Sequence, residues 1–245
     1  MNRKKLFNSF AALVVALTAT LASPAFASDR KSKESGAAAE ASVRTPLNLA
    51  VLVQDDLVSR VGGELGVTRA FIRALPAGSR VMVGYLTSGS LQVRQQFTDD
   101  LDKAARSLRI PVASESAAPF NPYVELIEAL KKFDAQGKNR NAVLLISDGL
   151  DVSRGFDSSS SVNSFDLQRA IREARKRGVA VYTFYAPAVG LTSRNSTAVS
   201  YGQSSLSRLA KETGGEAFFQ GTSFVTFDAY FVRLGRALNG SSTAY

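Results

Sequence analysis

The 245-residue sequence contains no cysteine and no histidine. Without cysteine the chain has no disulfide, no thiolate nucleophile and no cysteine-ligated zinc or iron–sulfur centre. Without histidine it has no Ser-His-Asp or Cys-His arrangement and no imidazole ligand for a metal. The composition, 45% hydrophobic and 21% charged, is that of a globular protein with enough chain for a substantial core. These two absences exclude many of the common enzyme mechanisms.

Residues 1–27 have the pattern of a secretory signal peptide. A basic start, Asn2-Arg3-Lys4-Lys5, precedes an apolar run of 12 residues from Phe10 to Leu21 and an Ala25-Phe26-Ala27 cleavage site. The run is shorter than the roughly 20 residues that cross a bilayer, and no later segment reaches that length. We therefore predict cleavage after Ala27 and an exported, periplasmic or extracellular protein without a membrane span. The alternative is a leader that is kept as an anchor.

The formal net charge is +9, and it falls to +6 when the leader, with three basic residues and no acid, is removed. Export argues against nucleic acid as the partner of this basic protein. The densest basic cluster, between Arg169 and Arg177, lies on one predicted helix, where a solvated face and cations near the helix C-terminus explain it. An anionic membrane surface or polysaccharide is the alternative partner of this cluster.

The mature chain divides into a linker over residues 28–45 and one domain over residues 46–240. The linker mixes small, polar and charged residues and is predicted to be disordered. In the domain, strands are predicted at 47–53, 80–86, 90–97, 142–146, 179–185 and 216–219, and helices at 64–75, 98–108, 122–133, 165–177, 204–213 and 226–238. Thr98 is the expected N-cap of the second helix, and residues 153–164 and 187–203 are predicted to be polar loops.

Strands that are apolar along their whole length and alternate with helices are typical of a parallel sheet that is covered on both faces. We therefore predict an α/β fold with a doubly wound, mainly parallel sheet, helices on both faces, and one antiparallel edge strand from the hairpin at 80–97. Such a sheet binds its ligands beyond the carboxyl ends of its strands.

Acidic residues follow two of these strands directly. Asp55 and Asp56 come after the first strand, and Asp148 comes after Ile146-Ser147. Carboxylates that leave two parallel strands at the same edge can converge on a hard cation. In the alternative interpretation they only cap loops and helix N-termini, as Asp often does.

The segment from Leu47 to Leu238 resembles a von Willebrand factor A domain, and more narrowly the exported VWFA-related family common in acidobacteria. The residues that carry the resemblance are the acids and Ser59 after the first strand, the strand end Leu144-Leu145-Ile146-Ser147-Asp148-Gly149, and Lys211-Glu212-Thr213-Gly214-Gly215-Glu216. Further similar pieces are Arg73-Ala74-Leu75-Pro76, Phe97-Thr98-Asp99-Asp100 and Pro122-Tyr123. The resemblance implies a Rossmann-like sheet and a non-enzymatic module that binds other proteins.

The family's metal-ion-dependent adhesion site (MIDAS) has an Asp-x-Ser-x-Ser motif after the first strand, a Thr from a middle loop and an Asp after the fourth strand. It holds magnesium and leaves one coordination position for a carboxylate of the partner. By resemblance, Asp55 and Ser59 take the first and last positions of the motif, and Asp148 is the late Asp. These three residues are the predicted Mg²⁺ ligands, and the carbonyl of Asn121 could take the place of the Thr.

The motif is degenerate, because Leu57 stands at the position of the middle Ser and offers no oxygen to a cation. Shifting the register by one residue makes Gln54 the first position and Val58 the last, which matches the motif less well.

We interpret the sequence as an exported interaction module that binds a protein or a cell surface at the carboxyl edge of its sheet. In this interpretation a cation bridges to an acidic partner side chain, and the loops 153–164 and 187–203 give specificity. The alternative is a magnesium-dependent hydrolase that uses Asp55, Asp56 and Asp148, although it lacks a histidine base and a recognisable nucleophile motif.

Overall fold

A computed structural model of the protein describes residues 43–134, 139–156, 164–219 and 226–240. Its strands are β1 (Leu47–Gln54), β2 (Arg80–Thr87), β3 (Ser90–Thr98), β4 (Arg140–Ser147), β5 (Val179–Tyr185) and β6 (Ala217–Phe218). Its helices are α1 (Arg60–Arg73), α2 (Leu101–Ser107), α3 (Pro122–Leu130), α4 (Phe165–Lys176), the short α5 (Leu191–Arg194), α6 (Ser196–Thr213) and α7 (Phe227–Gly240), with a 3₁₀ turn at Glu115–Ala117.

The six strands form one sheet in the order β3-β2-β1-β4-β5-β6. All neighbouring pairs are parallel except β2 with β3, which form an antiparallel hairpin at one edge. The predicted doubly wound sheet with one antiparallel edge strand is therefore confirmed.

Helices cover both faces of this sheet, because the side chains of the central strands are apolar on both sides. In β1, Leu49, Val51 and Val53 belong to the core cluster formed with α1, α2 and α7. Ala50 and Leu52 point the other way, into the cluster formed with α3, α4 and α6. This alternation is the period of two that an extended chain imposes, and it produces a three-layer domain.

Two local predictions were wrong. Residues 187–203 are not one polar loop, since α5 lies within them and α6 begins at Ser196. The side chain of Asn195 caps α6 by accepting hydrogen bonds from Thr197 N and Ala198 N, at 2.9 and 3.1 Å. Thr98 does not cap α2; Asp100 does, because its carboxylate accepts a hydrogen bond from Lys103 N at 2.8 Å.

The predicted signal peptide and most of the predicted linker lie outside the described residues. The described chain begins with Val43, which is buried, and Arg44, whose backbone N–H donates to Asn239 Oδ1 at 2.9 Å. Structure therefore starts slightly before the predicted boundary at residue 46. Across the described ranges, none of the helices has the length and apolar character needed to cross a membrane.

Helix α6 packs unusually closely on the loop that follows β4. A Cβ atom added to Gly202 of α6 would overlap the carbonyl oxygen of Asp148. Gly149 has a positive φ of 71°, and a Cβ there would lie 2.5 Å from Leu206 Cγ. Only glycine permits this approach, which holds the end of β4 against α6.

This packing predicts opposite effects of the same substitution in two helices. Gly63 lies inside α1 with open space around its Cβ direction, so Gly63→Ala should raise the free energy of unfolding by about 0.5–1 kcal/mol. Gly202→Ala should lower it by about 1–3 kcal/mol, because the helix must move off the β4 loop. Urea unfolding of the two variants tests this, and a stabilised Gly202→Ala protein would contradict the close packing.

Candidate functional site at the carboxyl edge of the sheet

The structure places the predicted acids at one edge of the sheet. Strands β1 and β4 are adjacent and parallel, with Val53 level with Ile146, so the segments that begin at residues 54 and 148 leave the sheet side by side. Asp55, Asp56 and Asp148 are all buried there, with 2–5% of their surface exposed. Buried carboxylates are unfavourable unless they are compensated, so their partners define the chemistry of the site.

Asp55 is compensated by an arginine. Arg109 Nη1 and Nη2 donate to Asp55 Oδ1 and Oδ2 at 2.6 and 2.7 Å, and Val112 N donates to Oδ1 at 3.0 Å. The hydrogen bonds to Asp55 raise the pKa of the Arg109 guanidinium. This paired, two-point geometry is the strongest form of an arginine–carboxylate contact.

The arginine is itself fixed by Tyr85 of β2. The guanidinium lies over the Tyr85 ring, 4.1 Å from its centroid, and the backbone N–H and C=O of Arg109 both contact the Tyr85 hydroxyl at 2.6 Å. Burial raises the pKa of that hydroxyl, so it remains protonated. The loop from Arg109 to Ala113 is thereby fastened to the ends of β1 and β2.

Gln54 connects the ends of β1 and β4. Its Oε1 accepts hydrogen bonds from Ser147 Oγ at 2.5 Å and from Asp148 N at 3.2 Å. Its Nε2 donates to Asp56 Oδ1 at 2.8 Å. The last residue of β1 is therefore the hub of a buried polar network that reaches both Asp56 and Asp148.

Asp148 is held by neutral donors. Leu150 N donates to its Oδ1 at 3.1 Å, and Thr192 Oγ1 donates to its Oδ2 at 2.9 Å. Burial raises the pKa of Asp148. Asp56 has a pKa raised to about 7, mainly by burial and then by the charge of Asp148. The two carboxyl groups therefore form a pair in which a proton can be retained near neutral pH.

The other predicted ligands do not join this network. Ser59 is exposed and precedes α1 without a capping hydrogen bond from its side chain. Asn121 caps α3 by accepting from Tyr123 N at 3.1 Å, and its Nδ2 donates to Asp166 at 2.8 Å. Leu57 is fully buried and pairs with Ala188.

As they are arranged, these residues do not fit a magnesium ion. Both oxygens of Asp55 are bound to a guanidinium, both oxygens of Asp148 accept protein hydrogen bonds, and Ser59 and Asn121 lie apart from them. Among the described residues there is no cluster of three or more metal-ligating acids. The Mg²⁺ site at Asp55, Ser59 and Asp148 stays a prediction, and it would require Arg109 to leave Asp55.

Three residues of the network were missed by the sequence reasoning. Gln54 was considered only in the register that matched the motif less well. Thr192 lies in the segment predicted as a loop, and no function was predicted for Arg109. The alternation of side chains along β1 is the sequence signal that separates the two residues. Asp55 continues the face of Val51 and Val53, toward α2, whereas Gln54 continues the opposite face, that of Leu52.

Comparison with solved structures supports the fold. An aerotolerance-related membrane protein from Bacteroides fragilis matches 79% of this chain and 99% of its own, with a TM-score of 0.56 and 11% identity. BatB from Bacteroides thetaiotaomicron matches 81% and 100%, with a TM-score of 0.54 and 12% identity. Proximal thread matrix protein 1 from the mussel byssus, with a zinc-occupied MIDAS motif, matches 82% of this chain and 49% of its own, at 0.50 and 12%.

No protein-family model matches the sequence, and no curated protein matches it in sequence. Identities this low establish the shared architecture alone.

We expect the Asp55–Arg109 ion pair to stabilise the fold. Arg109→Gln leaves a buried carboxylate without a cation and should lower the free energy of unfolding by about 2–4 kcal/mol, less than for a fully buried pair because the arginine is 30% exposed. Arg73→Gln is the matched control, since Arg73 and Asp102 are both largely exposed. This substitution should lower the free energy of unfolding by less than about 0.5 kcal/mol. Equal effects in urea unfolding would show that Arg109 is not structurally important.

The raised pKa of Asp56 predicts a pH dependence of stability. The carboxyl titrates near 3.8 when unfolded and at about 7 when folded, so the folded state keeps the proton. The stabilisation of the folded state by this retained proton is complete below about pH 4 and is lost as the pH rises through 7. Relative to Asp56→Asn, the wild type should lose on the order of 3 kcal/mol of unfolding free energy between about pH 4 and pH 8.

The comparison cancels groups that both proteins share, such as Glu125, whose pKa is also raised to about 7 by burial. Asp99→Asn is the control, because it makes the same substitution at an exposed acid. A constant difference between Asp56→Asn and the wild type over this pH range would contradict the assignment.

Proposed function

Since the protein has the von Willebrand factor A fold, we propose that it is an exported interaction module that binds a protein partner at the carboxyl edge of its sheet. The observation that carries this proposal is the position of the exposed apolar side chains. In the described part of the chain, all the large apolar residues with more than about a third of their surface exposed lie in loops or first helical turns at that edge: Ile110, Val112, Phe120, Val124, Phe156, Phe165 and Leu191.

These side chains lie on segments that follow or precede residues of the buried acid network and its neighbours. Ile110 and Val112 belong to the loop that Arg109 fastens to Asp55. Phe120 and Phe165 flank the hydrogen bond between Asn121 and Asp166. Exposed apolar side chains that gather at one edge of a domain are a feature of protein-binding sites. We call these seven residues the edge surface.

The edge surface is held by rigid contacts, which favours binding. The loop after α2 is fixed through Asp55 and Tyr85, and the loop after β5 is fixed by Val58 N to Pro187 O at 3.0 Å and Val189 N to Asp56 O at 2.8 Å. A preorganised surface loses little conformational entropy when a partner docks. Apolar residues on fixed loops therefore support recognition by shape.

In this proposal the contact does not need a bridging cation, because Arg109 already supplies the positive charge that neutralises Asp55. A divalent cation at Asp55, Ser59 and Asp148 would first have to displace that arginine. The predicted metal-bridged contact is retained as the alternative outcome of the experiment below.

The hydrolase alternative is less well supported. It needs Asp55, Asp56 and Asp148 as free catalytic groups, yet Asp55 is bound to a guanidinium and Asp148 accepts hydrogen bonds at both oxygens. Phosphoester hydrolysis by the purified protein that is lost in Asp148→Asn would favour this alternative.

The proposal is tested by affinity capture from the envelope of the source bacterium. Phe120→Ser combined with Phe165→Ser should reduce capture of the specific partner at least about tenfold, because two exposed aromatic anchors are lost. Lys131→Ser combined with Lys132→Ser changes two exposed residues at the opposite edge of the sheet and should leave capture unchanged.

A chelator should have no effect on the capture. Loss of capture with chelator, restored by magnesium, would instead support the predicted metal bridge. Equal capture by both double variants would place the partner elsewhere on the protein and overturn the edge surface as its site.

A further inference from the structure

A cavity of about 440 Å³ lies at the amino edge of the sheet, opposite the edge surface. It opens where β1, β4 and β5 begin and where α4 and α6 end, with Leu238 of α7 closing one side. Its volume falls in the range of pockets that hold small organic molecules. The cavity is separate from the acid network, so its function is independent of the proposed interaction module.

Arg140, the first residue of β4, lines this cavity and has an unusual environment. Its Nε and Nη2 are buried, and neither has a hydrogen-bond partner among the residues that the structure describes. Among the described residues no carboxylate forms an ion pair with it. Arg80, the first residue of β2, offers the contrast, because it contacts Asp134 at 3.1 Å. A guanidinium that is partly removed from water without a counter-charge is unfavourable, so an anion placed against Arg140 would compensate its charge.

The other charged groups of the cavity give it a positive balance. Arg175, at the end of α4, also lines it. Glu212 is the acid of the lining, and its Oε1 already accepts a hydrogen bond from Arg208 Nε at 2.7 Å. The carbonyl ends of α4 and α6 point toward this edge and carry partial negative charge. An incoming anion therefore has to be attracted by the guanidinium groups themselves.

Much of the remaining wall is apolar, with Leu47, Ala142, Val179 and Leu238 among its residues. A guanidinium beside an apolar wall is suited to a carboxylate or phosphate that is attached to an apolar body. We propose that this cavity is a binding site for a small organic anion, with Arg140 as the residue that holds its charged group. Inorganic phosphate alone would leave the apolar wall unused and should bind more weakly.

The proposal is tested on the full mature chain with benzoate and phenyl phosphate as anionic probes and benzamide as a neutral probe of the same shape. Either anion should bind in the millimolar range and shift the backbone amide NMR signals of Gly178 and Gly214, whereas benzamide should not. Arg140→Gln should weaken anion binding at least about tenfold. Added salt should weaken it as well, because the attraction is electrostatic.

Arg80→Gln is the matched control, since it removes an arginine that is likewise the first residue of a strand, β2, and that lies outside the cavity lining. It should bind the anions as the wild type does. Arg140→Gln should keep the unfolding midpoint of the wild type or raise it, because it removes an uncompensated charge; this shows that any loss of binding is not a loss of folding.

Three results would overturn the proposal. The first is the absence of binding by both anions, and the second is equal binding of benzoate and benzamide. The third is unchanged affinity in Arg140→Gln. None of them bears on partner capture at the edge surface, so the two proposals fail separately.

Discussion

Burial of three carboxyl groups at the ends of two adjacent parallel strands is the constraint that organises this domain. Strands β1 and β4 bring Asp55, Asp56 and Asp148 to one edge, beside a core that cannot solvate charge. Each acid is compensated differently. Asp55 receives a full positive charge from Arg109, whereas Asp148 receives two neutral hydrogen bonds. Asp56 receives an amide hydrogen bond and has its pKa raised, so that it can keep its proton.

These compensations determine the shape of the surrounding loops. Two of the residues that supply the hydrogen bonds come from segments far away in the sequence: Arg109 follows α2, and Thr192 lies in α5 after β5. Each bond therefore fastens one loop to the end of the sheet. The exposed apolar side chains lie on loops and first helical turns at this edge. The hydrogen bonds to the buried acids therefore also help to position the edge surface. One structurally similar protein has a zinc-occupied MIDAS motif, whereas in this chain the guanidinium of Arg109 neutralises Asp55.

The buried charges at the two edges of the sheet have opposite signs and are compensated differently. At the carboxyl edge the buried charges are negative, and residues of the chain compensate them internally. At the amino edge the partly buried charge of Arg140 is positive, and the described residues leave its Nε and Nη2 without a partner. A buried charge that the chain compensates internally needs no partner from outside, whereas an uncompensated one would be stabilised by a counter-charge that binds to it. This difference is why a ligand is inferred at the amino edge and a shape-based contact at the carboxyl edge.

The sequence by itself determined the architecture, because continuous apolar runs such as 142–146 and 179–185 can be buried only in strands covered on both faces. It also brought Asp55 and Asp148 to one edge, since parallel strands end on the same side. Only the tertiary structure decided what each acid contacts. Asp55 and Gln54 are neighbours in sequence but point to opposite faces of the sheet, and Arg109 is 54 residues from the acid it binds. Such contacts depend on how the helices pack on the sheet, and local sequence patterns do not predict that packing. Strand formation, in contrast, depends on the residues of the strand itself.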